Sequence, residues 1–410
     1  VSVILLELVG YWFLNNRMNI PSERLYAANW VFQLSIVAFV INLLSIPYNA
    51  LVIAHERMSF FAYLSILECI LKLGVALLLP CILSDRLIIY ALLICSIAII
   101  SRLAYQIYCR RNFTESRHYC FSLKTYQGKE LLIYSGWNMI GSVAFISKQQ
   151  GVNIVMNLFF GPILNAAHSI AQQINGVLSQ FINNVYVATR PQITKLYAAG
   201  DMDAMWKLVF CSGKLAFYLL MFICIPALVE IEFVLNLWLH EVPPYTVIIA
   251  RLMIISILVE TLSNQVIGAY QAANKIKRYQ LYSSTIVLLN IPISYLVLKI
   301  CPESPIIPYL ISVFLSFLYV LSILWNAKKV IGLNLKAYVK EVCLPDIMVC
   351  LLVAALVWIG VSFLSPSFYR LLFTICLSSF VSLLAIWSLG LKSSEKSLVR
   401  TIIKQKILRK

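Results

Sequence analysis

Two stretches near the middle of the chain gather the side chains that could hold a polar ligand. The first, about 131–160, carries Asn138, Ser142, Ser147, Lys148, Gln149, Gln150, Asn153 and Asn157, with Gly136, Gly141 and Gly151 among them. The second, about 163–187, carries Asn165, His168, Ser169, Gln172, Gln173, Asn175, Ser179, Gln180, Asn183 and Asn184. At helical spacing His168, Gln172, Asn175 and Ser179 form one stripe, while Lys148, Gln149, Asn153 and Asn157 spread over a polar sector beside Ser147, Gly151 and Ile154. Taken singly, each amide is explained by interhelical hydrogen bonding, with glycine letting helices approach. Taken together around one lysine, they predict a hydrophilic cavity whose neutral donors and single cation suit a sugar or a phosphorylated headgroup. Lys148, Gln149, Asn153, Asn157, His168, Gln172 and Asn175 are therefore the expected substrate-binding residues. No GxxxxGK[ST] loop and no Cys/His cluster occurs, so no catalytic residue, metal or cofactor is expected.

The elements that must position these residues are membrane helices. Of 410 residues, 61% are hydrophobic and only 12% charged, against about a quarter charged in soluble chains. A span needs about 20 mostly apolar residues to cross about 30 Å of hydrocarbon. Eleven such spans fit, at about 27–52, 61–83, 87–108, 131–160, 163–187, 208–237, 245–270, 279–300, 306–325, 344–364 and 371–391. Unsatisfied amides facing lipid would cost several kcal/mol each, so the polar faces of the fourth and fifth spans must point at protein or water. Lys148 is the most expensive residue there, at about 2.5–3.5 kcal/mol on insertion scales. Glu68 and Lys72 stand four apart as a helical ion pair. Glu260 lies near the middle of its span, about two and a half turns from Arg251, which is expected to snorkel outward. Glu68 and Glu260 are candidates for ion coupling. Glu230 and Glu232 are expected to be solvated, and cysteines such as Cys69, Cys95, Cys224 and Cys376 to be small buried apolar residues.

Basic residues give the orientation. Alternate connections, beginning with His55-Glu56-Arg57 and ending with the tail, hold 25 of the 33 Lys and Arg, and the opposite set holds five. By the positive-inside rule, the basic connections and the C-terminus are expected in the cytoplasm. The net charge of +16 is then a topology signal plus attraction to anionic membrane lipids, with no nucleic-acid partner implied. The tail, 392–410, places Val399, Ile403 and Ile407 at helical spacing beside Lys396, Arg400 and Lys404, an interfacial amphipathic pattern. Ala54-His55-Glu56-Arg57 with Tyr63 and Ser65 overlays Ala273-Asn274-Lys275-Ile276 with Tyr282 and Ser284 at one offset, a faint repeat of the kind duplicated transporters show. The opening segment, Val1 to Leu14, has the look of the end of a spanning helix, so an N-terminally truncated chain is expected.

Several segments carry a resemblance. Ile46-Pro47-Tyr48-Asn49-Ala50 through Ala54-His55-Glu56-Arg57-Met58, and Asn157-Leu158-Phe159-Phe160-Gly161-Pro162 through Asn165-Ala166-Ala167, come first. Arg190-Pro191-Gln192-Ile193, Tyr197-Ala198-Ala199-Gly200-Asp201, Leu237-Trp238-Leu239 and Asn290-Ile291-Pro292-Ile293-Ser294-Tyr295 follow. In order and spacing they resemble the polysaccharide-biosynthesis flippases of the multidrug, oligosaccharidyl-lipid and polysaccharide exporter superfamily. The resemblance implies an all-α polytopic membrane protein of two six-helix lobes plus two C-terminal helices, with the first two helices and part of the third missing from this chain. It divides the chain into 1–109 (remainder of the N-terminal lobe), 110–130 (cytoplasmic linker), 131–326 (C-terminal lobe), 327–391 (two additional helices) and 392–410 (tail). In such proteins the first two helices of each lobe line the cavity, where the amide-rich pair falls. The expected function is flipping of an undecaprenyl-diphosphate-linked oligosaccharide across the bacterial inner membrane, for O-antigen or capsule synthesis, beside a polysaccharide polymerase as partner. A cation-coupled multidrug exporter of the same fold is the alternative. A membrane glycosyltransferase or polymerase is disfavoured by the short outer connections.

Overall fold

The structure is a computed structural model that describes residues 7, 10–12, 22–81, 85–116, 126–239, 241–301, 304–392 and 395–397. Among them there is no strand, and eleven long helices carry the chain. Nine are long and apolar enough to cross a membrane: α1 (Ser22–Ala54), α2 (Met58–Leu78), α3 (Arg86–Asn112), α6 (Met202–Trp238), α7 (Thr246–Ala272), α8 (Ile276–Ile300), α9 (Ile307–Val330), α10 (Leu335–Val361) and α11 (Phe368–Gly390). The chain is an all-α polytopic membrane protein. The remaining two, α4 (Tyr126–Phe160) and α5 (Pro162–Ala198), have 35 and 37 residues, ample length, but are not among the nine. They are the amide-rich pair. The opening segment, the middle of the linker (117–125) and the amphipathic tail fall largely outside the described residues.

The chain divides into two compact units, Val1–Ser122 and Leu123–Lys410. In the first, α1 packs along α3 and α2 closes against α3, over a core of Tyr48, Val52, Leu64, Tyr105, Cys109 and Phe113. Phe60 stacks on Tyr108 with centroids 3.7 Å apart, and the Arg102 guanidinium lies 4.3 Å from the Tyr48 ring centre. Both are partnerships that let polar tips and cations sit beside an apolar core. Asp85 caps α3 by accepting from the Leu87 amide at 3.1 Å, which satisfies one of the orphan donors at a helix start. On α2, Ile66, Ile70, Leu73 and Leu77 are exposed at helical spacing, an apolar stripe whose natural solvent is lipid.

In the second unit α7 is the centre. It packs against α5, α6 and α9, while α4 lies along α8, and α10 and α11 pair on the flank of α6. A continuous buried core runs through these helices, with Met221, Ile254, Val266, Ile323 and Val353 wholly or almost wholly enclosed. Buried tyrosine hydroxyls close interhelical hydrogen bonds: Tyr270 donates to Ile323 O at 2.9 Å and Tyr338 to Leu262 O at 2.8 Å. α8 is interrupted at Leu289, just before Asn290-Ile291-Pro292, where proline removes one backbone donor.

Four sequence expectations change. Glu230 is 2% exposed rather than solvated, because Arg370 Nε and Thr374 Oγ1, both on α11, each donate to its Oε1 at 2.9 Å. Arg251 does not reach outward; its Nε donates to Leu228 O at 3.0 Å. Cys95 and Cys224 are buried but Cys69 and Cys376 are exposed, on faces that lipid would cover. The matched turns of the faint repeat are out of step by one residue: the positive-φ residues are Glu56 and Asn274, not Glu56 and Lys275. Arg57 N–H bonds Val52 O and Lys275 N–H bonds Tyr270 O, and the same closure recurs at Gly200, where Asp201 N–H bonds Leu196 O. That is a general helix terminator, so the turns themselves carry no sign of duplication.

Glycine sets how close α4 comes to α8. A Cβ on Gly151 would meet Ile291 Cδ1 at 2.4 Å, whereas one on Gly136, on the same helix, would meet nothing within 4 Å. Gly151→Ala should therefore destabilise by about 1–3 kcal/mol through overpacking. Gly136→Ala should be neutral or stabilising by up to about 1 kcal/mol through helix propensity. Melting temperatures of the two purified variants in one detergent check the sign, and equal shifts would contradict the close α4–α8 approach.

Candidate functional site

The second unit encloses a cavity of about 740 Å³ between α4, α5, α7 and α9. One stripe of α5 supplies most of its polar wall: His168, Gln172, Asn175, Ser179, Asn183, Tyr186 and Arg190, recurring every three or four residues as a single helix face must. From His168 to Arg190 this stripe climbs about 33 Å at 1.5 Å per residue. The wall thus extends over the thickness of a hydrocarbon core, about 30 Å. Across from it, α4 contributes Ser142, Lys148 and Gln149, α7 contributes Ser256, Glu260 and Asn264, and α9 contributes Tyr309, Ser312 and Tyr319.

Of the sequence-predicted residues, Lys148, Gln149, His168, Gln172 and Asn175 line this cavity. Asn153 and Asn157 do not: Asn153 is half-buried away from the wall and Asn157 is exposed near the end of α4. Glu260 lines it, and Glu68 does not; Glu68 stands in the first unit with Lys72 Nζ 3.9 Å from its Oε2. The i, i+4 pair expected from the sequence is therefore in place, at the outer range of an ion contact.

The charges inside the cavity are arranged unequally. Lys148 Nζ lies 3.7 Å from Glu260 Oε1, and Ser316 donates to the same oxygen at 2.8 Å. Both charged side chains are mostly buried, at 16% and 18% exposure. In such a place the pair offsets a desolvation cost that neither ion could bear alone. Arg190 also lines the wall, yet among the described residues no carboxylate pairs with it. His168 Nδ1 and the Tyr309 hydroxyl are hydrogen-bonded at 2.8 Å, which fixes that ring at the opposite end of the α5 stripe from Arg190. Two buried atoms of wall residues, Asn175 Oδ1 and Tyr186 OH, have no hydrogen-bond partner. Orphaned polar atoms on a cavity wall are the positions a ligand or water would satisfy.

Arg190, Tyr186, Asn264, Ser312, Tyr309 and Tyr319 were not among the sequence-predicted residues. Arg190 falls outside the expected span, about 163–187, because it counts there among the basic residues of the following connection, whereas α5 continues through Pro191 to Ala198. The signal that could have found it is the stripe itself, since Asn183, Tyr186 and Arg190 continue the spacing of His168, Gln172, Asn175 and Ser179.

An all-α polytopic membrane protein with a polar cavity among its helices is the class that fold and site define. Comparison with family models, with curated proteins and with solved structures finds no match to this chain. Among the described residues no three His, Cys, Asp or Glu side chains converge as a metal site would require.

Removing one member of a buried ion pair costs more than removing both, because the survivor stays charged and unpartnered. Lys148→Met and Glu260→Gln should each lower stability by about 1–3 kcal/mol. The double variant should recover most of that loss. Thermal unfolding of the four proteins gives the cycle; additive losses would remove the pair from the wall.

Proposed function

We propose that the chain is a flippase that carries an undecaprenyl-diphosphate-linked oligosaccharide across the bacterial inner membrane by alternating access, for surface polysaccharide synthesis. The observation that carries this reading is the wall of α5: a stripe of amides and hydroxyls over about the thickness of the bilayer, ending in a cation with which no carboxylate pairs among the described residues. Sugars offer many hydroxyls and a diphosphate offers concentrated negative charge, so amides would meet the first and Arg190 the second. Lys148 would meet the diphosphate only by exchanging Glu260 for it. The asymmetry of basic residues supports a cytoplasmic C-terminus and the insertion of the basic connections on that side. On this reading the partners are membrane lipids, the lipid-linked oligosaccharide and a polymerase that consumes it, and no enzymatic step belongs to this chain.

A cation-coupled multidrug exporter is a second reading, favoured by Glu260 in the wall beside Tyr186, Tyr309 and Tyr319. Carboxylates and aromatics attract organic cations.

The two readings part on binding. Purified protein in detergent should be stabilised against heat by an undecaprenyl-diphosphate oligosaccharide, and Arg190→Ala should weaken that stabilisation at least tenfold in apparent affinity, about 1.4 kcal/mol. Arg190→Lys should keep part of it, because the charge remains while the bidentate fork is lost. Ethidium should give no shift. A shift with ethidium that Glu260→Gln abolishes, and none with the lipid, would transfer the chain to the exporter reading.

A further inference from the structure

A second cavity, of about 270 Å³, adjoins the central one and shares Ser142, Phe145, Arg190 and Tyr319 with it. Its own polar wall comes from Asn138 on α4, Gln271 on α7, and Tyr279, Gln280, Ser283 and Ser284 on α8. Gln280 reaches this wall because residue 141 of α4 is glycine: a Cβ there would stand 1.5 Å from Gln280 Nε2. Arg190 thus stands where a small side cavity meets a large central one.

Several groups of the side wall have already spent their protons inside their own helices. Asn138 Nδ2 donates to Tyr134 O at 3.0 Å, Ser142 Oγ to Asn138 O at 3.1 Å, and Ser283 Oγ to Tyr279 O. The side-chain oxygens that remain are acceptors. Ser284 differs, since it is 6% exposed and its Oγ has no hydrogen-bond partner. An enclosed hydroxyl in that state marks a place for a ligand group or a water. Among the described residues no carboxylate lines the side cavity, and Arg190 is its one cation. Acceptor oxygens call for a ligand rich in O–H donors and repel a bare anion, whereas the guanidinium calls for an anion at the rim. A sugar ring joined to a phosphate supplies both.

We propose that the side cavity is a subsite for one sugar ring whose phosphate rests on Arg190, so that its ligand is a glycosyl phosphate. The volume of about 270 Å³ falls just below the range of about 300–1,000 Å³ typical of sites for drug-sized ligands. One ring fits there, and a longer glycan does not. For the source of the ligand the assignment rests on the flippase reading, in which this ring is the sugar attached to the lipid diphosphate and further sugars lie in the central cavity.

The test is thermal stabilisation of the whole purified chain in detergent, titrated with glucose 1-phosphate, N-acetylglucosamine 1-phosphate, glucose and inorganic phosphate. At least one sugar phosphate should bind about tenfold or more tighter than either inorganic phosphate or glucose. Ser284→Ala, the smallest change in the wall, should shrink that advantage by about two- to tenfold, the worth of one hydrogen bond. Gln280→Leu, of similar volume, should do the same. Equal affinity for phosphate and both sugar phosphates would overturn the proposal, and so would no shift with either sugar phosphate; both are read on the unsubstituted protein. An advantage untouched in Ser284→Ala and Gln280→Leu alike would also overturn it. A parallel pair, undecaprenyl diphosphate with and without one sugar, separates the sources. The same advantage there supports the lipid-linked ligand, whereas an advantage confined to the soluble sugar phosphate keeps the subsite and removes the flippase reading.

Discussion

The cost of an unsatisfied polar group in hydrocarbon governs this molecule. Among the described residues, nine helices meet the cost by having few such groups, and can offer lipid faces like the Ile66, Ile70, Leu73 and Leu77 stripe of α2. α4 and α5 cannot. Their amides must be turned from lipid at several kcal/mol apiece, and that requirement alone fixes where they go. α4 is held on α8 through Gly151, α5 lies along the central α7, and the polar faces left between them enclose the cavity. The cavity gathers part of these amides, Gln149, Gln172, Asn175, Gln180 and Asn183 among them, while Gln150, Asn157, Gln173 and Asn184 stay exposed on other faces of the two helices.

Charges follow the same logic on a smaller scale. Lys148 has Glu260 and Ser316, Glu230 has Arg370 and Thr374, and Lys214 has Glu395. In each case the partners come from helices far apart in sequence, so the desolvation penalty becomes a constraint on tertiary arrangement. The last two clusters join α6 to α11 and its continuation, one near each end of the pair. Apolar packing would allow α11 to slide or rotate on α6, since lipid competes equally for either face. Two buried ion contacts at separate heights remove that freedom.

Much of this was legible in the sequence. Existence and length of the helices follow from apolar runs, which carry a strong signal, and the α5 stripe follows from spacing alone. Periodicity also gave Glu68–Lys72, because i, i+4 geometry is local. What periodicity cannot supply is the neighbour that a face meets. Asn153 and Asn157 share a polar sector with Lys148, but a sector wider than the cavity leaves part of itself against other surfaces. Glu230 was misjudged for the same reason: its position near a helix end says solvent, and only the fold brings Arg370 and Thr374 to it. Arg190 is missed because a basic residue beyond the apolar run reads as part of a cytoplasmic connection, whereas the 37-residue helix continues through Pro191 and carries it on the cavity face.

The two cations of the cavity then carry different meanings. A lysine whose carboxylate is already 3.7 Å away presents little net field to a ligand, whatever its cost of insertion suggests. Arg190, with which no carboxylate pairs among the described residues, keeps its charge for a ligand, and its planar fork can meet two oxygens of one phosphate. On the proposed reading the anion of the substrate should therefore first be attracted at the Arg190 end of the α5 stripe. It reaches Lys148 only as Glu260 is released. On that reading the wall would favour a sugar-bearing anion over apolar cargo through the amides and the cation it offers.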